Sequence, residues 1–290
     1  MNFPPKTVAS AYFPACVLRA KGVDAPAFLN SQFSNDLSKM TTGGSVYGLW
    51  LDRKGRVVAD SWVILLRSPD EFLIVSLDCP ASAVEAHLQT HIIADEVEVT
   101  DESAGWRGLA LIGAGTGEAL LSGPSLGVSF PGRRGGGEAH EWLVPVAGWT
   151  EALSAAQGLG RLAEGELELL RIRGRIPRIG QDIGPSDIPN EGGLDRDAIS
   201  YSKGCYTGQE VMARVKALGR VRRALVLVSG GGEPPALPAS LWAGGVRAGE
   251  LRSAAGTGPG FEGLALVAVE PAARYSLAPD GPAAVEVLAR

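Results

Sequence analysis

A chain of 290 residues with 45% hydrophobic and 20% charged residues has room for two or three packed units and lies far from the composition of disorder. Its formal net charge of −5 argues against broad attraction to nucleic acid or anionic lipid. The three cysteines, Cys16, Cys79 and Cys205, are odd in number, far apart and never spaced C-x-x-C, which speaks against a disulfide framework or a self-contained metal site.

No basic-then-apolar leader opens the sequence and no apolar run reaches the roughly 20 residues of a spanning helix, so a cytoplasmic protein is expected. Ala15 to Leu18 reads as a strand, and Gly22 to Asp24 turns into a helix with Phe28, Leu29 and Phe33 at helical spacing. Around Lys54-Gly55, the β-branched and aromatic segments Val46 to Leu51 and Arg56 to Leu66 predict a hairpin, followed by a strand over Phe72 to Leu77. Val84, Leu88 and Ile92 recur every fourth residue and predict a helix between Pro80 and Ile93, before the alternating VEVTD strand. A strand at Leu109 to Ile112 should run through glycines into a short helix from Gly117, and Gly132 to Gly137 should form a flexible turn before a strand at Trp142 to Val146. Glu164 to Ile172 predicts a helix ending at Gly174 and Pro177, where a long proline- and glycine-rich connection runs to Leu194; such loops are commonly functional. Short apolar strands at Leu225 to Val228, Gly249 to Ser253 and Leu264 to Val269 predict a small barrel or sandwich, and the whole pattern predicts an α+β fold.

The segment KGCYTGQE, Lys203 to Glu210, carries the most chemistry. Thr207 and Glu210 have capping-box spacing, and Val211, Met212, Val215 and Leu218 form an apolar stripe that stops at Gly219. Cys205 then precedes a helix N-terminus with Lys203 beside it, an environment that favours the thiolate. A buried cysteine filling a turn is the competing account.

KGCYTGQE, with IPNEGGLDRDAISYS before it and VMARVKALGRVRRAL after it, resembles the signature of the YgfZ family of folate-binding proteins, relatives of the glycine-cleavage T-protein. GVDAPAFLNSQFSNDL, LDRKGRVVAD, ADEVEVTDES and RIRGRIPRIGQD extend the resemblance from about Cys16 to Val269. The resemblance implies a T-protein-like fold over residues 1–220, with a division near 105, and a small β-barrel over 221–290. It also implies tetrahydrofolate or a derivative in a central cavity, with support of iron–sulfur cluster assembly or repair, including for enzymes of tRNA modification. Its partners would be folate and iron–sulfur client or assembly proteins, with no direct nucleic acid and no membrane. Catalysis of a conventional kind is not implied; the alternative is a tetrahydrofolate-dependent aminomethyltransferase of glycine-cleavage type.

A pterin needs a carboxylate for its paired N–H donors, a flat wall for its ring and a cation for its glutamyl tail. Glu191 aligns with a folate-site carboxylate of the relatives. Asp60 aligns with the second of two adjacent T-protein acids, while Ala59 stands at the first, which weakens aminomethyl transfer. Of Trp50 and Trp62, one is expected to touch the ligand, and Trp62 is the candidate. Arg171, Arg173, Arg175 and Arg178 crowd one stretch, where a glutamyl tail or simply water is the partner; Arg175 and Lys203 are assigned to the ligand. Two other patterns carry no site. Gly113, Gly115 and Gly117 lack the third glycine of a dinucleotide loop at Glu118, and His87 and His91 lack the remaining parts of a zinc motif.

Overall fold

The structure, a computed structural model, describes residues 4–116, 126–219 and 221–288. The helix expected from Gly117 lies outside the described residues. Numbered along the chain, one five-stranded sheet has the order β3 (Ser45–Leu51), β4 (Val57–Leu65), β5 (Glu71–Ser76), β2 (Cys16–Lys21), β6 (Glu98–Asp101). A second has the order β10 (Gly160–Arg161), β1 (Val8–Tyr12), β7 (Trp106–Ile112), β9 (Ala139–Pro145), β8 (Val128–Pro131). A closed barrel follows in the order β11 (Arg223–Gly231), β14 (Gly260–Ala268), β13 (Val246–Gly256), β12 (Ala239–Ala243), β15 (Arg274–Ser276), β16 (Ala283–Val287). The helices among the described residues are α1 (Ala25–Gln32), α2 (Ala81–His91), α3 (Trp149–Ala155), α4 (Glu164–Arg173) and α5 (Gln209–Leu218).

The first sheet is covered on both faces, which explains why β4 reads as a nearly unbroken apolar run. Ala59 and Val63 point to one face and pack with Phe28 and Leu29 of α1 and Val84 and Leu88 of α2. Trp62 and Ile64, one residue out of phase, point to the other and pack with Trp106, Phe130 and Leu143 of the second sheet. Asp60 shares the Trp62 face, so the alternation of one strand delivers a carboxylate and an indole to the gap between the sheets.

The connection from Gly174 to Leu194 contains short 3₁₀ turns but no longer helix or strand, and it stays folded because its own acids satisfy its backbone. The carboxylate of Asp182 accepts the Arg178 N–H at 2.8 Å, Asp187 that of Gly184 at 3.0 Å, and Glu191 that of Ile188 at 3.1 Å. Arginines then tie those acids to α4 and the barrel. Arg171 of α4 reaches Asp182 at 2.7 Å, Arg252 of β13 reaches Asp187 at 2.6 Å, and Arg223 of β11 reaches Glu191 at 2.8 Å. Burial alone would raise the Asp187 carboxyl, but Arg252 and Arg223 hold it below its ordinary value. No helix of the described residues is long and apolar enough to cross a membrane.

Candidate functional site

Between the two sheets and the end of α4 lies a small chamber of about 60 Å³, well below the usual range for ligand pockets. Tyr47, Asp60 and Trp62 line it from the first sheet, Arg133 and Arg134 from the β8–β9 turn, and Glu168, Arg171, Pro177 and Arg178 from α4 and the connection. Glu168 and Arg178, paired at 2.9 Å, also line a larger cleft of about 930 Å³ between β1, α4 and β13. That ion pair therefore stands between the two spaces.

Asp60 is held from three sides. Tyr47 donates its hydroxyl to Oδ2 at 2.8 Å, and Ser76 and the Cys79 thiol donate to Oδ1 at 3.1 and 3.2 Å. A carboxylate has about four lone-pair positions, so one stays open toward the chamber. Burial raises the Asp60 carboxyl above its ordinary value, against these hydrogen bonds, which pull it down. The Trp62 ring lies 4.8 Å from Tyr47 and 5.3 Å from Phe130, giving the chamber an aromatic wall. Arg133 lies over the Tyr47 ring at 4.1 Å and pairs with Asp197, while its buried Nε has no hydrogen-bond partner. Arg134 is spent on Glu141 at 2.7 Å and on the face of Tyr12 at 4.4 Å. Two arginines in a glycine-rich turn, PGRRGGGE, were the available sequence signal for this wall; the stretch reads as a flexible turn and hides them.

Of the residues singled out from sequence, Asp60 and Trp62 meet in this chamber, whereas Glu191, Arg175 and Lys203 are not among its lining residues. Glu191 is buried at 7% exposure, and both its oxygens are taken by Arg223, at 2.8 and 2.9 Å. It pins the connection to the barrel instead of offering a free carboxylate to a pterin edge. Arg175 occupies the turn after α4 with φ 53°, and two of the neighbouring arginines are engaged within the chain, Arg171 with Glu168 and Arg173 with Glu262, both at 2.6 Å. Trp50, the other aromatic candidate, is buried in the core and donates to Ser61 at 2.9 Å.

Lys203 is spent on architecture as well. Its Nζ donates to the carbonyls of Asn30, Phe33 and Asn35 at 2.6 to 2.8 Å, closing the C-terminal end of α1, where helix carbonyls lack partners. Desolvation there lowers its ammonium to about 8. Thr207 does not cap α5; its hydroxyl donates to Gln32 at 2.8 Å, and Gly208 takes the cap position at φ 85°. A Cβ on Gly208 would lie 2.8 Å from the Asp52 carbonyl, and one on Gly55 equally close to Met212, so the octet sits on the tip of the β3–β4 hairpin with no room for side chains. Tyr206 is buried. Cys205 is exposed, while Cys16 and Cys79 are buried, with desolvation pushing the Cys16 thiol up to about 12 and the Cys79 thiol up as well. The octet is thus a frame fixed at α1 and at the hairpin that leaves one thiol in solvent.

The remaining sequence patterns are structural. Gly113 and Gly115 both have positive φ, as a tight turn requires. His87 packs 5.9 Å from Trp50 and 4.8 Å from His91, and no group of metal-ligating side chains occurs among the described residues.

Residues 17–123 match the GCVT N-terminal domain family. An uncharacterised protein of Haemophilus influenzae is 24% identical over 213 residues, covering 73% of this chain and 69% of that protein. An aminomethyltransferase of Frankia alni is 28% identical over 233 residues, covering 72% of this chain but only 63% of that relative, so the chain matches less than two thirds of its length. The glycine cleavage system aminomethyltransferase T from Bartonella henselae superposes with a TM-score of 0.80 at 19% identity, covering 98% of this chain and 86% of that one. The chain therefore has the aminomethyltransferase T-protein fold, including the closed C-terminal barrel.

Proposed function

We propose that this chain is a tetrahydrofolate-binding accessory protein of the YgfZ kind, which supports the assembly or repair of iron–sulfur clusters, among them those of tRNA-modifying enzymes. The observation that carries this reading is the exposed thiol of Cys205 in a loop whose other polar contacts are spent on holding it there. A residue needed only to fill a turn would be buried, as Tyr206 is.

Two groups that line the chamber suit a pterin, the open acceptor position of Asp60 and the unpaired buried Nε of Arg133, beside an aromatic wall, and at about 60 Å³ the space must widen to admit the ring. Asp60 would accept ring N–H donors, Arg133 would donate to a ring oxygen or nitrogen, and Trp62 and Tyr47 would shield the ring from water. The larger cleft beyond Glu168 and Arg178 has space for the rest of the molecule. Bound tetrahydrofolate would supply the capacity to carry a one-carbon unit. Aminomethyl transfer is the second reading, and the likeness to the Frankia alni aminomethyltransferase favours it. Against it, the hairpin brings no second acid beside Asp60, because Ala59 stands at that position and packs into the α1–α2 core.

Complementation tests the proposal. In bacteria depleted of their own counterpart, the wild-type chain should restore the activity of an iron–sulfur enzyme and Cys205→Ser should not. Full rescue by Cys205→Ser at normal abundance, or robust transfer of aminomethyl from a lipoylated carrier to tetrahydrofolate by the purified protein, would overturn it.

A further inference from the structure

The thiol stands beside a basic surface on a chain of net charge −5. Gly208, three residues after Cys205, touches the hairpin tip at Asp52 and Gly55, which brings that tip against the start of α5. Arg53, Lys54 and Arg56 of the tip are exposed, as is Lys216 of α5, and none of them forms a salt bridge among the described residues. The nearest tip acid, Asp52, is engaged by its own turn, accepting the N–H groups of Lys54 and Arg56 at 2.8 and 2.9 Å. On α5 the one exposed acid, Glu210, is matched by Arg214 at 3.0 Å.

We propose that the hairpin tip and α5 form a docking face for an acidic protein surface, which sets that partner against Cys205. This deepens the reading of Cys205 as a thiol that meets a client, and rests on it. Four exposed cations without a carboxylate partner among the described residues, on the hairpin tip that adjoins the octet and the helix that follows it, would steer a negatively charged partner and repel a positive one. A protein fits better than a nucleic acid. Leu218, 68% exposed at the end of α5, offers an apolar contact. The neighbouring aromatics offer no platform for stacked bases, since Tyr206 is buried and Tyr201 lies 3.9 Å beneath Lys216.

The test uses Cys205 as the reporter. Two synthetic peptides of equal length, one glutamate-rich and one lysine-rich, each carry a 2-pyridyl disulfide. The Cys205 thiolate attacks the peptide sulfur, its proton passes to buffer, the original S–S bond breaks, and pyridine-2-thione leaves and is read by absorbance. The acidic peptide should react at least about tenfold faster at low salt, with the ratio falling toward one at 1 M salt, where the screening length is about 3 Å. Arg53→Glu with Lys54→Glu should remove the preference, while Arg67→Glu, outside this face, should keep it. Equal rates for the two peptides, or a preference that survives the double substitution, would overturn the proposal. A pyridyl-disulfide oligonucleotide of matched charge that reacts faster than the acidic peptide would overturn the choice of a protein partner. Failure of this test alongside failed rescue by Cys205→Ser would remove the docking face and leave the role of the thiol standing.

Discussion

Replacing Glu191 by glutamine separates a structural carboxylate from a ligand-binding one. In the structure the side chain accepts two N–H bonds from Arg223 and one from the Ile188 backbone, and its 7% exposure leaves little water to replace them. Hydrogen bonds to a charged group contribute about 1.5–3 kcal/mol. The Arg223 side chain is 41% exposed and keeps Asp187 at 3.0 Å, so screening and the surviving pair reduce the loss to about 1–2 kcal/mol. Urea denaturation at neutral pH should show that loss as a lower midpoint with an unchanged slope. Tetrahydrofolate affinity, measured by titration under native conditions, should stay within about twofold, well inside the tenfold that 1.4 kcal/mol would produce. Unchanged stability together with a tenfold or greater loss of affinity would refute this reasoning and return Glu191 to the pterin edge.

Gly208→Ala should destabilise the chain by about 2 kcal/mol, because a left-handed backbone costs 1–2 kcal/mol for a residue with a Cβ and the added atom would meet the Asp52 carbonyl at 2.8 Å; thermal or urea unfolding checks it. Desolvation, with a smaller contribution from His91, lowers His87 to about 4, so the folded state resists protonation that the unfolded chain accepts below about 6.5. Stability from this residue is thus present above pH 6.5 and lost as the pH falls toward 4, by roughly 2–3 kcal/mol; His87→Gln should flatten that window in urea melts at stepped pH. A small alkylating reagent should modify Cys205 well before Cys16 or Cys79, with peptide mass mapping as the readout and first labelling of a buried thiol as the contrary result.

Elements with strong periodicity were legible from the sequence: α2, α4, the β3–β4 hairpin and the core barrel strands appear where apolar spacing puts them, shifted by a few residues at their ends. Strand β1, the short strand β8 and helix α3 escaped notice, since VASAY, VSFP and WTEALSA are too short or too mixed to show a period. The candidate site was legible in part. That Asp60 and Trp62 share one face of β4 follows from strand alternation, a local rule. The engagements of Glu191, Lys203 and Arg173 escape a sequence reading because their partners lie far along the chain: Arg223 for Glu191, the end of α1 for Lys203, Glu262 for Arg173. Charge in a long polar loop suggests a ligand; only the fold reveals that another part of the same chain supplies the counter-charge.

Folate recognition, as proposed, centres on Asp60. Titrating the purified chain with tetrahydrofolate while following tryptophan fluorescence reads it directly, since Trp62 lines the same chamber. The wild-type chain should show saturable one-to-one binding with a change in emission, and Asp60→Asn, which keeps the shape and removes the charge, should bind about 10- to 100-fold more weakly, as expected for a lost charge-assisted bond of about 1.5–3 kcal/mol. Absence of saturable binding, or equal affinity in Asp60→Asn, would contradict the assignment of this chamber to folate.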